Sequence, residues 1–444
     1  MQFIASHKTK KCEEVDLMKN KRENVLLGDI MKIRHGFAFK GEYFSEEGNF
    51  VLLTPGNFRE KGGLKLKGDK EKYYAGEFPE EYVFKKGDLV VAMTDLVQSA
   101  PILGSCAIIP QSNRYLHNQR LGKIIDIAED RVDKKYLYYI FNYEGVRNQI
   151  KGSSTGSTVK HTAPERIYRV KTSLPPIAQQ KEMSSILSTY DDFIENNSKR
   201  IKILEEMARL IYLEWFVEFN APGIKLRKAT PDENKVTGKD VFPEGWEVKS
   251  LDKIVTDIID YRGKTPKKLG GDWVEKGIIA KSALNVKNGK LVSLEKSKFL
   301  SEELYNKWMK TELMLGDIIM TSEAPLGEIY FLAKQIKMCL SQRLFCIRAN
   351  KEIIDSSILY LSFRSPEVQQ RIQAQATGTT VLGIRQNLLR QIPFVIPSKE
   401  IQNKISSTLG NIISFIDTLD ERSQNLRPTR DLLLPKLISG EVEV

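Results

Sequence analysis

Between Leu27 and Ser173 the apolar residues come in short runs broken by glycine, proline and asparagine. That texture predicts short strands joined by turns. Val83 to Ala92 reads as a strand entered through a Lys86-Gly87-Asp88 turn, and Ala107-Ile108-Ile109-Pro110 and Lys123 to Ile127 as neighbours in the same sheet. From Tyr136 to Ile150 the spacing becomes helical, with Leu137, Ile140, Phe141 and Val146 apolar. Thr162-Ala163-Pro164-Glu165 has the form of a capping box opening another short helix, or of an ordinary polar turn.

After Pro175-Pro176 the texture changes. Tyr190, Ile194, Asn197, Ile201, Leu204, Ala208, Ile211 and Trp215 are spaced alternately four and three apart, a heptad seam whose one polar member, Asn197, is of the kind that fixes register. A second seam runs through Leu409, Ile412, Ile416, Leu419, Ser423, Leu426, Arg430, Leu433 and Leu437, and Pro428 should kink or break that helix near Arg427. The two helices pack against each other, or each covers its own domain.

The seams belong to a larger repetition. Gly87-Asp88-Leu89-Val90 is echoed by Gly316-Asp317-Ile318-Ile319, and Gln119-Arg120-Leu121 by Gln342-Arg343-Leu344. Thr155-Gly156-Ser157-Thr158-Val159 returns as Thr377-Gly378-Thr379-Thr380-Val381. Pro175 to Leu187 matches Pro397 to Leu409, with Gln180/Gln402, Ser184/Ser406 and Ser185/Ser407 at identical offsets. A period of roughly 220 residues is too long for a solenoid and means two copies of a whole domain.

The 444 residues allow each half its own core. The net charge of +11 favours a polyanionic partner. Met1 to Asn24 is polar and Lys-rich, without the apolar core of a secretory signal, and no apolar run has the length of a membrane span. Of the four cysteines, Cys12, Cys106, Cys339 and Cys346, none forms a C-x-x-C pair, and Cys339 and Cys346 lie in an apolar stretch. They read as reduced core residues of a cytoplasmic protein. The four scattered histidines argue against zinc.

Catalytic signatures are missing. The only Pro-Pro, Leu174-Pro175-Pro176-Ile177, lacks the flanks of an amino-methyltransferase loop, and no G-x-G-x-x-G follows a strand. Gly263-Lys264-Thr265 resembles the end of a P-loop, but Ile258 stands where its first glycine belongs and Pro266 blocks the following helix. Pro231-Asp232 with Glu247-Val248-Lys249 has the loose spacing of a metal-dependent nuclease, yet Asp232 falls in a polar linker. The chain reads as a binder of nucleic acid, not as an enzyme.

With these features in place, the chain resembles the specificity subunit of type I restriction-modification enzymes. The resemblance rests on Gly36-Phe37-Ala38-Phe39-Lys40, Phe242-Pro243-Glu244-Gly245-Trp246-Glu247, Asp260-Tyr261-Arg262-Gly263-Lys264-Thr265-Pro266 and Leu432-Leu433-Leu434-Pro435-Lys436-Leu437-Ile438-Ser439-Gly440-Glu441. It implies an α+β chain: two similar α/β target recognition domains separated by two long antiparallel coiled-coil spacer helices, with an internal pseudo-two-fold repeat. The expected division is an N-terminal extension (1–25), a first recognition domain (26–174), a first spacer region (175–219), a linker (220–241), a second recognition domain (242–396) and a second spacer region (397–444). The first domain lacks the Pro-x-Gly-Trp opening of the second.

The implied partners are double-stranded DNA with a bipartite asymmetric target, two adenine-methyltransferase subunits, and restriction/translocase subunits. S-adenosylmethionine, ATP and magnesium would belong to those partner subunits and none to this chain. Two other readings stay open, a specificity module of another restriction-modification type and a standalone nuclease or methyltransferase with degenerate motifs. A helical scaffold without nucleic acid is a third. From Tyr190 to Trp215 the seam would span about 38 Å of helix, close to one duplex turn of roughly 34–36 Å.

Polar and basic loop residues are the candidates for DNA contact. In the first domain these are Lys40, Asn57, Arg59, Gln98, Ser153, Ser154, Thr155, Ser157, Thr158 and Lys160. In the second they are Arg262, Lys264, Thr265, Lys281, Asn285, Ser322, Arg343, Thr377, Thr379 and Thr380. The two Thr-Gly segments stand out, because small hydroxyl residues around a glycine let backbone N–H groups approach phosphate. Gln119 and Gln342 lead into apolar strands and could serve the core edge.

Overall fold

A computed structural model describes residues 22–444. Cys12 and residues 1–21 of the predicted extension lie outside them. The chain forms two units: one reaches to Phe193 and includes Leu426–Val444, the other is Ile194–Asn425.

In the first unit a four-stranded antiparallel sheet has the order Lys32–His35, Leu121–Ile125, Leu89–Ala92, Cys106–Ile108. The two strands predicted as sheet neighbours are therefore in one sheet, with Leu89–Ala92 between them. Leu89–Ala92 is apolar at every position because both of its faces are covered. Leu89 and Val91 face a core shared with Leu137, Ile140 and Phe141, whereas Val90 and Ala92 face a second core with Val51, Leu53 and Phe84. A smaller sheet supplies that second layer, in the order Phe44–Ser45, Tyr73–Tyr74, Val51–Leu53, Tyr115–His117, its last pair parallel.

The second unit repeats this plan. Its main sheet runs Val255–Asp260, Leu344–Ala349, Ile318–Thr321, Ile329–Phe331, and its smaller sheet Lys298–Leu300, Ile278–Lys281, Cys339–Leu340 again ends in a parallel pair. Ile318 and Met320 face one core and Ile319 the other. Cys106, Cys339 and Cys346 are buried free thiols in these cores.

The repeated glutamines explain the longest sequence echo. Gln180 donates to the carbonyls of Arg131 (2.9 Å) and Pro175 (2.8 Å) and accepts from the Asp133 N–H (3.0 Å). Gln402 makes the same three bonds, to Ile353 (2.8 Å), Pro397 (2.8 Å) and Asp355 (2.9 Å). Each buried amide thus fastens the start of a long helix to the loop that opens the domain's own helix pair.

The long helices are Ile177–Tyr212, continued by a wider π turn at Leu213–Val217, and Lys399–Ser439. They run antiparallel within each unit. In the first, Leu187 and Leu437 share a core and the Arg430 guanidinium binds the Asp191 carboxylate. In the second, the Asn197 amide donates to the Ser423 hydroxyl at 3.2 Å, Arg200 lies over the Phe415 ring, and Ala208 packs with Leu409 and Ile412. Ile194, Ile201, Leu419 and Leu437 are buried too, while Tyr190, Leu204, Ile211, Trp215, Ile416, Leu426, Arg430 and Leu433 are half-buried.

Four sequence expectations need amendment. The helix read over 136–150 is two helices, Lys134–Asn142 and Glu144–Gly152, turned at an extended Tyr143. The short helix after Thr162 exists as Pro164–Tyr168, but its N-cap is Ala163, and the buried Thr162 hydroxyl has no hydrogen-bond partner, so no capping box forms. Pro428 does not end the second long helix, which continues to Ser439. The proline removes one donor, and packing of Leu433, Leu434, Leu437 and Ile438 into the first unit's core holds the turns beyond it. The segment read as a linker is ordered: Leu226–Lys228 pairs with Val241–Pro243, and Pro231–Thr237 is a helix with a Thr230/Glu233 capping box.

Candidate nucleic-acid interface

One end of each main sheet gathers four segments. In the first unit, Lys32–His35 leaves the sheet where Leu121–Ile125 enters, and the Gln119 N–H donates to the Phe37 carbonyl at 2.9 Å. Leu89–Ala92 leaves at the same end, where the Met93 N–H reaches the Arg120 carbonyl (3.0 Å). Lys160–His161 then pairs with Thr94–Asp95 and carries the loop 155–161 to that end. The second unit does likewise. The Ser322 N–H donates to the Arg343 carbonyl and the Ile384 N–H to the Ser322 carbonyl, both at 2.9 Å, and Gly383 bridges to Glu323.

The two Thr-Gly loops share one geometry. Thr155 and His161 exchange two backbone hydrogen bonds of 2.9 Å, and Thr377 and Gly383 exchange bonds of 2.8 and 3.0 Å. Gly156 (φ +98°) and Gly378 (φ +120°) sit in left-handed backbone. A Cβ would stand 1.9 Å from the Val159 carbonyl oxygen in one and 2.2 Å from that of Val381 in the other, so only glycine closes these loops. Thr155, Ser157, Thr158, Thr377, Thr379 and Thr380 are all exposed on them.

Other predicted contacts join this end. Gln98 is exposed on the loop after Asp95, and Lys160 is half-buried beside it. Arg262 leaves the first strand of the second unit's sheet, its guanidinium held by both oxygens of Asp260 (2.9 and 2.7 Å) and stacked 4.1 Å from the Phe345 ring centroid. Arg343, at φ +66°, sits 3.1 Å from the Glu323 carboxylate. Lys264 donates to the Trp308 carbonyl at 2.7 Å, and the Thr265 hydroxyl accepts from the Lys268 N–H. Gln119 and Gln342 have exposed side chains at the turn.

Most of the remaining candidates turn their polar groups inward or back onto the chain. Asn57 and Asn285 are buried, and each carboxamide oxygen accepts from the N–H three residues earlier, Thr54 or Ser282, at 3.0 Å. Lys281 is buried with its ammonium 3.1 Å from the Ser297 hydroxyl, and burial lowers its pKa to about 8. Ser322 belongs to the sheet end by its backbone, but its hydroxyl is buried and unpartnered. Ser153 and Ser154 turn their hydroxyls back to the carbonyls of Ile150 and Lys151 and finish a helix. Lys40 and Arg59 are exposed, the latter beside the edge strand Cys106–Ile108, where the Ser105 hydroxyl donates to its carbonyl at 2.7 Å.

Sequence reading missed what holds the loop after Asp95. The buried Asp95 carboxylate accepts from the N–H groups of Val97 (3.0 Å) and Ile102 (2.7 Å). Buried Arg147 donates to the carbonyls of Leu103 (2.8 Å), Pro101 (2.7 Å) and Glu60 (2.7 Å), and burial lowers its pKa to about 10. At the corresponding place Gln369 donates to the Gly327 carbonyl at 3.0 Å. A lone arginine in a polar helix gives no sign of this in sequence.

Two repeated loop clusters at equivalent sheet ends, on domains joined by long helices, define a chain with two equivalent surfaces. The chain belongs to the family of the type I restriction modification DNA specificity domain, which it matches over residues 19–206 and again over 243–427. Among curated proteins it is 23% identical over 431 residues to the type I restriction enzyme EcoBI specificity subunit of Escherichia coli, covering 94% of this chain and 85% of that one. It is 28% identical over 376 residues to the MjaIX specificity subunit of Methanocaldococcus jannaschii, covering 82% and 79%. The fold is that of the type I restriction-modification S subunit from M. genitalium, with a TM-score of 0.63 at 14% identity over 94% of this chain and 96% of the other. Among the described residues no helix is long and apolar enough to cross a membrane.

Proposed function

We propose that each recognition domain reads one half of a bipartite, asymmetric duplex DNA target through the sheet end that carries its Thr-Gly loop. The long helices dock two adenine-methyltransferase subunits, and restriction/translocase subunits join that assembly. Catalysis, with its S-adenosylmethionine, ATP and magnesium, resides in those partners. The observation that carries the reading is the duplicated loop geometry at Gly156 and Gly378. Its tight backbone brings small hydroxyl residues to the surface, a setting suited to phosphate oxygens. Arg262, fixed by Asp260 and Phe345, presents a planar donor without first having to be ordered.

Duplex binding tested across salt supports the reading if log affinity falls linearly with log salt. Methylation-aware sequencing of the source genome, with and without the intact chain, gives the target. The reading fails if binding is independent of salt, or if no split methylated motif disappears with the chain. Helix length is proposed to set the gap between half-sites. Deleting four residues within the first long helix removes about 6 Å of rise, close to two base pairs, and is expected to shorten the preferred gap by one or two base pairs.

A further inference from the structure

A single exposed aliphatic side chain needs no explanation, but an exposed apolar cluster does. Both units carry an adjacent aliphatic pair at the sheet end described above, and they take it from different loops. In the first unit Leu96 and Val97 are 60% and 52% exposed; in the second, Val381 and Leu382 are 45% and 51% exposed. Leu96 and Val97 follow Asp95, whose backbone pairs with Lys160 at the foot of the Thr-Gly loop. Val381 and Leu382 belong to the Thr-Gly loop itself, just before Gly383.

Neither pair is presented loosely. Asp95 accepts two N–H groups from the first loop, and Arg147 holds the carbonyls of Pro101 and Leu103 at its far side. The second loop is closed by the Thr377–Gly383 bonds. Each aliphatic pair therefore stands on a fixed base among hydroxyls and cationic side chains, a setting for a polyanion that also offers an apolar point of contact. In the major groove of duplex DNA that point is the C5-methyl group of thymine.

We propose that Leu96-Val97 and Val381-Leu382 are specificity-determining residues that read a thymine methyl, one in each half-site. This deepens the reading of the sheet ends as DNA-binding surfaces and rests on it. Burying one methyl is worth a factor of about three to five in affinity.

The test uses the full chain and a duplex carrying its target, with each thymine replaced in turn by deoxyuridine, which lacks only the methyl. In each half-site, one replacement at least should weaken the unaltered chain about three- to fivefold. The double variant Leu96→Ser with Val97→Ser should lose that sensitivity in one half-site and keep it in the other. Val381→Ser with Leu382→Ser should do the reverse. Unchanged thermal unfolding shows that both variants fold. Specific binding that ignores every deoxyuridine, a half-site without thymine, or a variant as sensitive as the parent overturns the inference and leaves the DNA reading intact. Absence of any specific binding by the unaltered chain removes both.

Discussion

The two units share a framework and differ in what they bury within it. At equivalent places in the parallel strand pair, the first unit has Leu53 opposite His117 and the second has Lys281 opposite Leu340. Likewise Arg147 fastens the long loop after Leu89–Ala92, while Gln369 serves the short one after Ile318–Thr321. The glutamine pins, the Gly-Asp turns and the Thr-Gly loops are kept. Asp88 accepts from the Lys85 N–H and the Lys123 ammonium, and Asp317 from the Met314 N–H and the Arg348 guanidinium. The same loop platform can thus rest on different polar supports, provided each support is satisfied within its own unit.

Removing the least replaceable support should have the largest effect. Arg147→Met leaves the carbonyls of Leu103, Pro101 and Glu60 without their donor. The expected loss is about 3 kcal/mol or more, seen in denaturant unfolding, with faster amide exchange over 95–103. Gln369→Met removes fewer bonds and should cost less. Equal losses would show that the loops do not depend on these supports in the way their geometry implies.

Burial of His117 should make the first unit sensitive to acid. The side chain is buried, its ring nitrogen Nε2 lies 2.9 Å from the Leu121 carbonyl, and burial lowers its pKa to about 4. A histidine whose folded pKa lies below its unfolded value of about 6.5 is fully stabilising to the fold above pH 6.5. That contribution is lost as pH falls from 6.5 towards 4, by as much as about 3 kcal/mol. His117→Leu, the residue type found at position 340, should flatten this part of the stability profile. A profile that keeps its slope in the variant would assign the acid sensitivity to other groups.

Gln180→Leu and Gln402→Leu test the shared part of the framework. Each strips two carbonyls and one N–H of a buried partner, and each should cost about 2 kcal/mol. Losses that differ severalfold would contradict the equivalence of the pins. The smallest change should be a gain: Lys281→Met removes a buried ammonium and should raise the unfolding temperature by a few degrees for about 1 kcal/mol. Among the described residues, its Ser297 contact is the only hydrogen bond given up by the ammonium.

Much of the architecture could be read in the chain because repeated residues do repeated work. The Gln180/Gln402 echo marks two identical clamps, and the spacing from Ile194 to Ala208 follows residues that are buried in turn, Leu204 alone being half-buried. The sheet ends were legible through Thr155 and Thr377, whose neighbouring glycines fix the loops. What stayed hidden was the direction of polar side chains. Asn57 and Asn285 carry the letters of a DNA contact but turn inward to hold their own backbone. The repeated Thr54/Asn57 and Ser282/Asn285 spacing was the available signal, since a hydroxyl residue three before an asparagine suits a closed turn. Lys281 gave none, because its burial depends on a parallel strand contributed by distant Cys339–Leu340. Leu96 and Val97 are hidden in the sequence for the opposite reason: an aliphatic pair reads as core until the loop is seen to stand on Asp95.

A half-site competition shows whether the two Thr-Gly loops read separate halves of one target. Thr377→Ala with Thr379→Ala removes two exposed hydroxyls from the second loop and leaves Gly378 and its hairpin bonds in place. Binding of the full chain is measured against duplexes mutated in one half-site or the other. Discrimination should weaken by about 1–3 kcal/mol in one half-site and stay unchanged in the other. Equal loss in both halves would contradict independent reading by the two domains.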